Sequence, residues 1–294
     1  MDLSYAQNME DIHLARLFGD EPGFYIDVGG GHVVADNVSF YFYEKGWRGI
    51  VVEPQAALAA AYRTVRPRDV IIEALAGRAA GKMEFHQADQ YHGLSTTVAA
   101  NAAQALANGV AATVHRLPVT TLAALCAAHA PARIDFLKVD VEGAEADVLA
   151  GNDWHLYRPR VVVIEAVTPW TMQDASASFE PILIEAGYRF AFFDNLNRFY
   201  VAAECADLAA RFPASPLDWS SVRHLGMLGL PADNPDHPDH LLAKLLPEEN
   251  ISRLNIMSEE ELRRLLPAGF DIHAEATRTS LARIAAFHDG GYVG

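Results

Sequence analysis

The stretch FYIDVGGGHVVADN, Phe24 to Asn37, runs a short apolar segment into three glycines and then a polar turn. A strand that ends in a glycine-rich turn before a helix is the opening unit of many α/β sheets. Such a turn presents backbone N–H groups to a nucleotide-like ligand. Three ligands compete for it: a dinucleotide, a phosphate and S-adenosylmethionine. A dinucleotide fingerprint needs G-x-G-x-x-G, and here Gly29 and Gly31 fill the first two places while Val34 takes the third. No Gly-Lys-Ser/Thr ending follows, which excludes a P-loop. Asp27 stands immediately before the turn, where a carboxylate suits a cationic methionine ammonium and is badly placed beside a pyrophosphate.

Downstream, Glu53 closes GIVVEP, 22 residues past Gly31. An acid at the end of a second strand accepts ribose hydroxyl hydrogen bonds. That spacing serves NAD and S-adenosylmethionine alike, so it argues for a ribose without choosing the cofactor.

Working outward, strand-like text recurs at 24–28, 49–52, 70–74, 134–140, 161–167, 188–193 and 198–202. Helical text lies at 9–18, 38–45, 56–64, 122–128, 144–150 and 179–186, with Gly46, Gly151 and Gly187 at helix ends. This alternation predicts a mostly parallel sheet with helices on both faces. The last two strands are separated only by residues 194–197, too short for a parallel crossover, so the sheet should end in an antiparallel hairpin. Class I methyltransferases, which are Rossmann-like, have that arrangement. From about Pro213 the text becomes proline-rich, then helical at 241–246, 259–266 and 281–287. The expected division is a core domain over 1–212 and a proline-rich linker with a helical C-terminal appendage over 213–294. His237 and His240 in PDHPDH read as an exposed loop, because no further metal ligand is placed near them.

The formal net charge of −15 argues against binding a long polyanion such as nucleic acid. Cys126 and Cys205 offer neither a disulfide framework nor paired metal-ligand spacing. The N-terminal text lacks a signal-peptide pattern and no apolar run is long enough to span a bilayer, which predicts a soluble, cytoplasmic protein.

SYAQNMEDIHLARLF (Ser4–Phe18), GFYIDVGGG, YEKGWRGIVVEP (Tyr43–Pro54), GLSTT (Gly93–Thr97) and IDFLKVDVEGAEADVLAG (Ile134–Gly151) resemble, in this order, FkbM-type methyltransferases. The resemblance spans roughly residues 4–205. It implies S-adenosylmethionine-dependent methylation, usually of a hydroxyl on a sugar or glycan, sometimes in natural-product or cell-surface polysaccharide assembly. Carried onto this chain, it places Asp27, Gly29 and Gly31 at the methionine end of the cofactor and Glu53 at the ribose. Gln7 and Asn8 match the family's N-terminal cradling segment, and Ala74 and Leu75 would lie against the adenine.

In an open α/β sheet the ligand sits outside the carboxyl ends of the strands, where strand order reverses. The fourth strand ends there in LKVDVEGAE. Alternation puts Lys138 and Asp140 on one face, and Glu142 joins them if the extended backbone persists. Glu165, ending the fifth strand, should lie beside Asp140. Methyl transfer to a hydroxyl needs alignment and proton removal. Asp140 is therefore the expected base or acceptor anchor, with Glu142 and Glu165 as partners and Lys138 orienting them. His92 is the other candidate base, and Asp140 with Glu165 could instead hold magnesium. The leading reading is an O-methyltransferase of a sugar, glycan or glycosylated product. An N- or O-methyltransferase of a small non-sugar metabolite stays open. So does a non-catalytic cofactor-binding module whose appendage joins a second copy or a biosynthetic partner.

Overall fold

The computed structural model describes residues 2–88, 91–168, 170–254, 257–267 and 269–289, with side chains to 287. In chain order the strands are β1 (Leu3–Ser4), β2 (Phe24–Val28), β3 (Arg48–Val52), β4 (Val70–Ile72), β5 (Leu75–Ala76), β6 (Gly81–Ala88), β7 (Ala112–Thr120), β8 (Phe136–Val139), β9 (Val161–Glu165), β10 (Tyr188–Phe193), β11 (Asn197–Ala202) and β12 (Arg223–His224). The helices that flank the sheet are α1 (Glu10–Ala15), α2 (Val38–Glu44), α3 (Ala56–Val65), α4 (Ala99–Ala107), α5 (Leu122–His129), α6 (Glu145–Ala150) and α7 (Glu180–Glu185). Beyond them come α8 (Ala206–Ala209), α9 (His240–Ala243), α10 (Glu248–Ile251), α11 (Glu259–Leu265) and α12 (Glu275–Asp289).

Seven strands form the main sheet in the order β10-β11-β9-β8-β2-β3-β4. β4, β3, β2, β8 and β9 are parallel, whereas β11 runs antiparallel to both β9 and β10. The architecture is thus mixed α/β with a parallel-rich sheet. The chain moves outward from β2 through β3 to β4, then returns to lay β8 on the other side of β2. The carboxyl ends of β2 and β8 consequently diverge into connections on opposite sides and leave a crevice between them.

Successive strand residues alternate between the two faces, as a pleated strand requires. Tyr25, Val51, Phe136 and Val163 pack in one core with Ile12 of α1, Phe40 of α2 and Tyr62 of α3. Ile26, Ile50, Leu137 and Ile164 pack in the other with Leu125 of α5, Val148 of α6 and Leu183 of α7. Both faces are covered, so the parallel strands read as nearly continuous apolar runs.

β4, expected over 70–74, is shorter than its apolar text. After Ile72 the chain leaves the main sheet, and Leu75–Ala76 pairs with β7 in a separate three-stranded sheet of order β5-β7-β6. The β6–β7 antiparallel pair lies outside the strands expected from the sequence. Ten of its 17 residues are exposed, apolar Met83 and Val114 among them, and the alternation over 82–86 is too short to announce a half-buried strand.

The C-terminal segment builds its own apolar cluster around Leu246, Ile251, Leu254 and Ile284. It is also tied to the sheet domain. β12 pairs with β1 in parallel, Arg68 bridges Glu275 at 2.8 Å, and Arg283 pairs with both Asp239, at 2.7 Å, and Glu44. The PDHPDH stretch is not the exposed loop its composition suggests. His237 is buried, accepting the Asp239 N–H at Nδ1, and the His240 ring contacts the Pro231 carbonyl oxygen at 3.0 Å. The Arg283–Asp239 pair draws this segment inward. Among the described residues no helix is long and apolar enough to cross a membrane.

Candidate active site

A cleft of about 660 Å³ opens at the carboxyl ends of β2, β3, β8 and β9. Its first wall is the glycine turn. Gly29 has φ 80° and a Cβ there would lie 1.8 Å from the Asp140 carbonyl oxygen, so this glycine lets β2 and β8 end against each other. Gly31 differs: at φ 60°, its Cβ would meet only the edge of the His92 ring, at 3.8 Å. Its Cα faces open cleft, a cradle that a side chain would fill.

Glu53 stands opposite, almost wholly buried. Its carboxylate accepts the Gly31 N–H at 2.9 Å and the Gln55 N–H at 2.8 Å. Burial pushes its pKa up to about 7, and those two N–H groups hold it from rising further. A carboxylate has about four lone-pair sites, so two backbone donors leave room for two hydroxyls. Ala74 and Leu75 line the cleft beyond it. Gln7, exposed in the N-terminal segment, lines it too.

Asp27 and Asn8 lie elsewhere. Asp27 is fully buried behind the turn, with Oδ2 accepting the Ser39 hydroxyl at 2.5 Å and Oδ1 3.9 Å from the Lys138 ammonium. Ser39 is in turn held by the buried Arg66 guanidinium at 2.8 Å, which also pairs with Asp69. Asp27 therefore anchors Lys138 from beneath and does not reach the cleft. Asn8 spends its side chain on the Asp194 carbonyl oxygen at 2.9 Å, fastening the N-terminal segment to the β10–β11 turn.

The opposite end of the cleft is acidic. Asp140, Glu142 and Glu165 each place a carboxylate oxygen within 4.8 Å of the others. Lys138 Nζ lies 3.1 Å from Asp140 and donates to the Gly29 carbonyl oxygen at 3.3 Å. Burial opposes the lysine's charge, but Asp140 and Asp27 more than offset it and hold its pKa above the usual value. Burial and then Asp140 push Glu142 well above the carboxylate range, and Glu165 likewise.

Glu142 reaches this cluster by a different backbone from the extended one its spacing implies. It adopts φ 56°, and Gly143 follows at φ 103°. The Thr96 hydroxyl and the Asn101 amide both donate to the Glu142 carbonyl oxygen, at 2.8 and 2.7 Å. Through Thr96, the GLSTT stretch clamps the turn that swings Glu142 inward. Glu145 completes the turn by accepting the Val141 and Gly143 N–H groups.

His92 lines the cleft beside the glycine turn, its ring stacked at 6.3 Å on His32. Burial lowers its pKa, and neither ring nitrogen has a hydrogen bond among the described residues. The His32 ring accepts the Val34 and Ala35 N–H groups and so shapes the end of the turn.

Asp36 escaped the sequence reading. It lines the cleft at φ 51°, and burial raises its pKa against the pull of His224, His92 and Lys138. Its only sequence signal is the Asp-Asn pair before α2, which reads as a helix cap, and Asn37 fills that part by accepting the Phe40 N–H. Gln55, Thr96 and Asn101 were missed as well, since each acts through main-chain contacts that spacing does not reveal.

The model of the methyltransferase FkbM domain matches residues 27–190, more than half of the chain and all of the cleft's strand ends. No curated protein matches the sequence. An open glycine cradle, a buried carboxylate with lone pairs to spare and the apolar Ala74 and Leu75 stand along one wall of the cleft. The chain belongs to the FkbM methyltransferase family and is an S-adenosylmethionine-dependent methyltransferase.

Proposed function

We propose that the chain is an O-methyltransferase acting on a hydroxyl of a sugar, glycan or glycosylated product. One observation carries the reading. Asp36, Glu53, Asp140, Glu142 and Glu165 face the cleft, and among the described lining residues Lys138 is the only lysine or arginine. A phosphorylated or carboxylated acceptor would meet repulsion there, whereas neutral hydroxyls find acceptors. The strand order, with a lone antiparallel strand between the last two parallel ones, supports a class I, Rossmann-like arrangement. We take 1–212 as the catalytic domain and 213–294 as the appendage.

Bound S-adenosylmethionine supplies the electrophilic methyl group. Gly31 gives its backbone close approach, Glu53 accepts the ribose hydroxyls, and Ala74 and Leu75 cover the adenine. Gln7 closes the cradle from the N-terminal segment, while Asn8 fixes that segment in place. Asp140, held by Lys138, takes the proton of the acceptor hydroxyl. Glu142 and Glu165, pushed toward the protonated form by burial and by Asp140, hydrogen-bond the acceptor's other oxygens. His92 is the second candidate base, from the glycine side of the cleft.

A second reading rests on the three carboxylate oxygens within 4.8 Å of one another: the same cluster holding magnesium and binding the acceptor through it. Thermal-shift assays with S-adenosylhomocysteine and NAD test the cofactor half. Stabilisation by the former alone is expected, and stabilisation by NAD alone would overturn it. Mass-spectrometric detection of a methylated oxygen on a glycoside tests the acceptor half. Methylation confined to nitrogen or to non-sugar metabolites would refute it.

A further inference from the structure

A second cavity, of about 310 Å³, adjoins the cleft. Gln7, Ala35 and Asp36 line both spaces and form their common wall. Ala74 and Leu75 line only the larger one. The smaller chamber therefore meets the cleft at the N-terminal segment, leaving the adenine side alone.

The rest of the chamber belongs mainly to the C-terminal segment. Trp219, Leu225 and Met227 precede α9, and Phe287 comes from α12. Trp219, Met227 and Phe287 keep 38, 68 and 41% of their surfaces exposed. Large apolar side chains left open around a cavity mark a ligand site more often than a bare surface.

The polar groups in the chamber are mostly committed to partners within the protein. The Arg283 guanidinium is taken by Asp239 and Glu44, and the Tyr5 hydroxyl donates to Glu44. His224 accepts the Gly226 N–H at Nδ1, which leaves Nε2 to donate to the Ala6 carbonyl oxygen at 2.9 Å. Asp36 and Gln7, both on the common wall, are exceptions: among the described residues no hydrogen bond joins either side chain. Among the described residues the chamber thus combines an apolar, aromatic rim with an available carboxylate and amide, and its one arginine is already paired. Trp219 adds a flat apolar face with a polar edge, the surface against which a sugar ring packs.

We propose that this chamber is the outer part of the acceptor site, taking the apolar substituent of a neutral glycoside and holding one of its hydroxyls on Asp36, while the reacting hydroxyl reaches into the cleft toward Asp140. The assignment rests on the O-methyltransferase reading and gives the appendage a role in it, as the wall that selects the acceptor. The C-terminal segment lies outside the matched residues 27–190, so selection here is a property of this chain's own extension.

The test is calorimetry on protein saturated with S-adenosylhomocysteine, titrated with phenyl glycosides of gluco, galacto, manno and rhamno configuration and with glucose 1-phosphate. At least one phenyl glycoside should bind and glucose 1-phosphate should not. Met227→Trp, at an exposed position that leaves the fold intact, should weaken the glycoside at least tenfold by filling the chamber. Trp219→Ala should do so by removing its stacking face, and Asp36→Asn should weaken it several-fold. S-adenosylhomocysteine affinity should stay within twofold in the Met227 and Trp219 variants. The proposal is overturned if no phenyl glycoside binds, if glucose 1-phosphate binds as well, or if Met227→Trp and Trp219→Ala hold the glycoside like wild type. Failure of the wild-type protein to bind S-adenosylhomocysteine would instead strike the cofactor reading, and the same titration without it would still judge the chamber.

Discussion

The two ends of the cleft are built from similar residues and solve opposite problems. At the β2–β3 end a single buried carboxylate, Glu53, is satisfied by two main-chain N–H groups before any ligand arrives. At the β8–β9 end three carboxyl groups share a space of a few ångströms with one lysine, and two of them are driven to keep their protons. The first arrangement is preformed, its geometry set by backbone N–H groups already in place. The second is an electrostatic conflict that a substrate or cation would relieve, which is where proton chemistry belongs. Lys138 joins them, touching the Gly29 carbonyl oxygen on one side and Asp140 on the other.

If that contrast holds, damage to the acidic end should spare binding and abolish turnover. Asp140→Asn keeps the shape and removes the charge. Methyl-transfer rates should fall by about 10²–10⁴-fold, the usual range for a positioned acid–base group, while S-adenosylhomocysteine affinity stays within a few-fold. Single-turnover assays beside calorimetry would check both. A wild-type rate in this variant would mean that the chemistry lies elsewhere, with His92 the next candidate. EDTA divides the remaining possibilities: activity lost to the chelator and restored by magnesium assigns the cluster to a metal, and unchanged activity assigns it to proton transfer.

The glycine turn sharpens the receptor side. Gly31→Val should abolish S-adenosylhomocysteine binding, because the new side chain occupies open cleft. The positive φ adds strain of about 1–3 kcal/mol, which a modest fall in Tm would register. Gly29→Val should instead compromise folding, since its Cβ would lie 1.8 Å from the Asp140 carbonyl oxygen. Equal behaviour of the two variants would erase the distinction between a ligand glycine and a packing glycine.

Much of this site was legible because it sits where strands end. Glycines after β2, an acid closing β3 and acids closing β8 and β9 need only a parallel sheet to converge, and the apolar runs establish the sheet. Asp27 was misplaced for a reason the same sheet explains. It lies on the Tyr25 face of β2, beneath α2, where Ser39 and Arg66 supply partners that no local spacing reveals. Glu142 was placed near the cluster, but its left-handed turn depends on Thr96 and Asn101, far upstream in the chain. The exposed β6–β7 hairpin that carries this clamp has too little apolar pattern to be read. The second chamber draws on Tyr5, Asp36, His224 and Phe287, which only the tertiary structure brings together.

Glu53→Ala asks how much the preformed receptor contributes. Each hydrogen bond lost to a charged acceptor costs about 1.5–3 kcal/mol, so S-adenosylhomocysteine should bind at least about tenfold more weakly. Affinity unchanged in calorimetry would reduce Glu53 to a brace for the Gly31 turn.

The smallest effect is the pH dependence of the same contact, and its sign is fixed by burial. Glu53 is raised from 4.5 to about 7, with burial the main cause. Its folded-state pKa lies above its unfolded one, so between about pH 4.5 and 7 the native state holds the proton that the unfolded state has lost. Stability from this group therefore falls as pH rises through that window, by at most about 1.4 kcal/mol per unit. Ligand affinity runs the other way. Only the ionised carboxylate can accept a second hydroxyl while keeping the Gly31 and Gln55 N–H groups, so binding should weaken below pH 7 by up to about tenfold per unit and level off above it. The stabilisation given by saturating S-adenosylhomocysteine should accordingly be larger at pH 8 than at pH 6. Asp11, raised to about 6, and Glu10, raised to about 8, also make the ligand-free protein less stable as pH rises, while His13 and His237, lowered to about 4, do the reverse. Glu53→Gln isolates the contribution, because it should flatten the pH profile of affinity and leave those other slopes in place. A profile in Glu53→Gln as steep as wild type would show that another group near the glycine turn, such as His92, sets the pH dependence of binding.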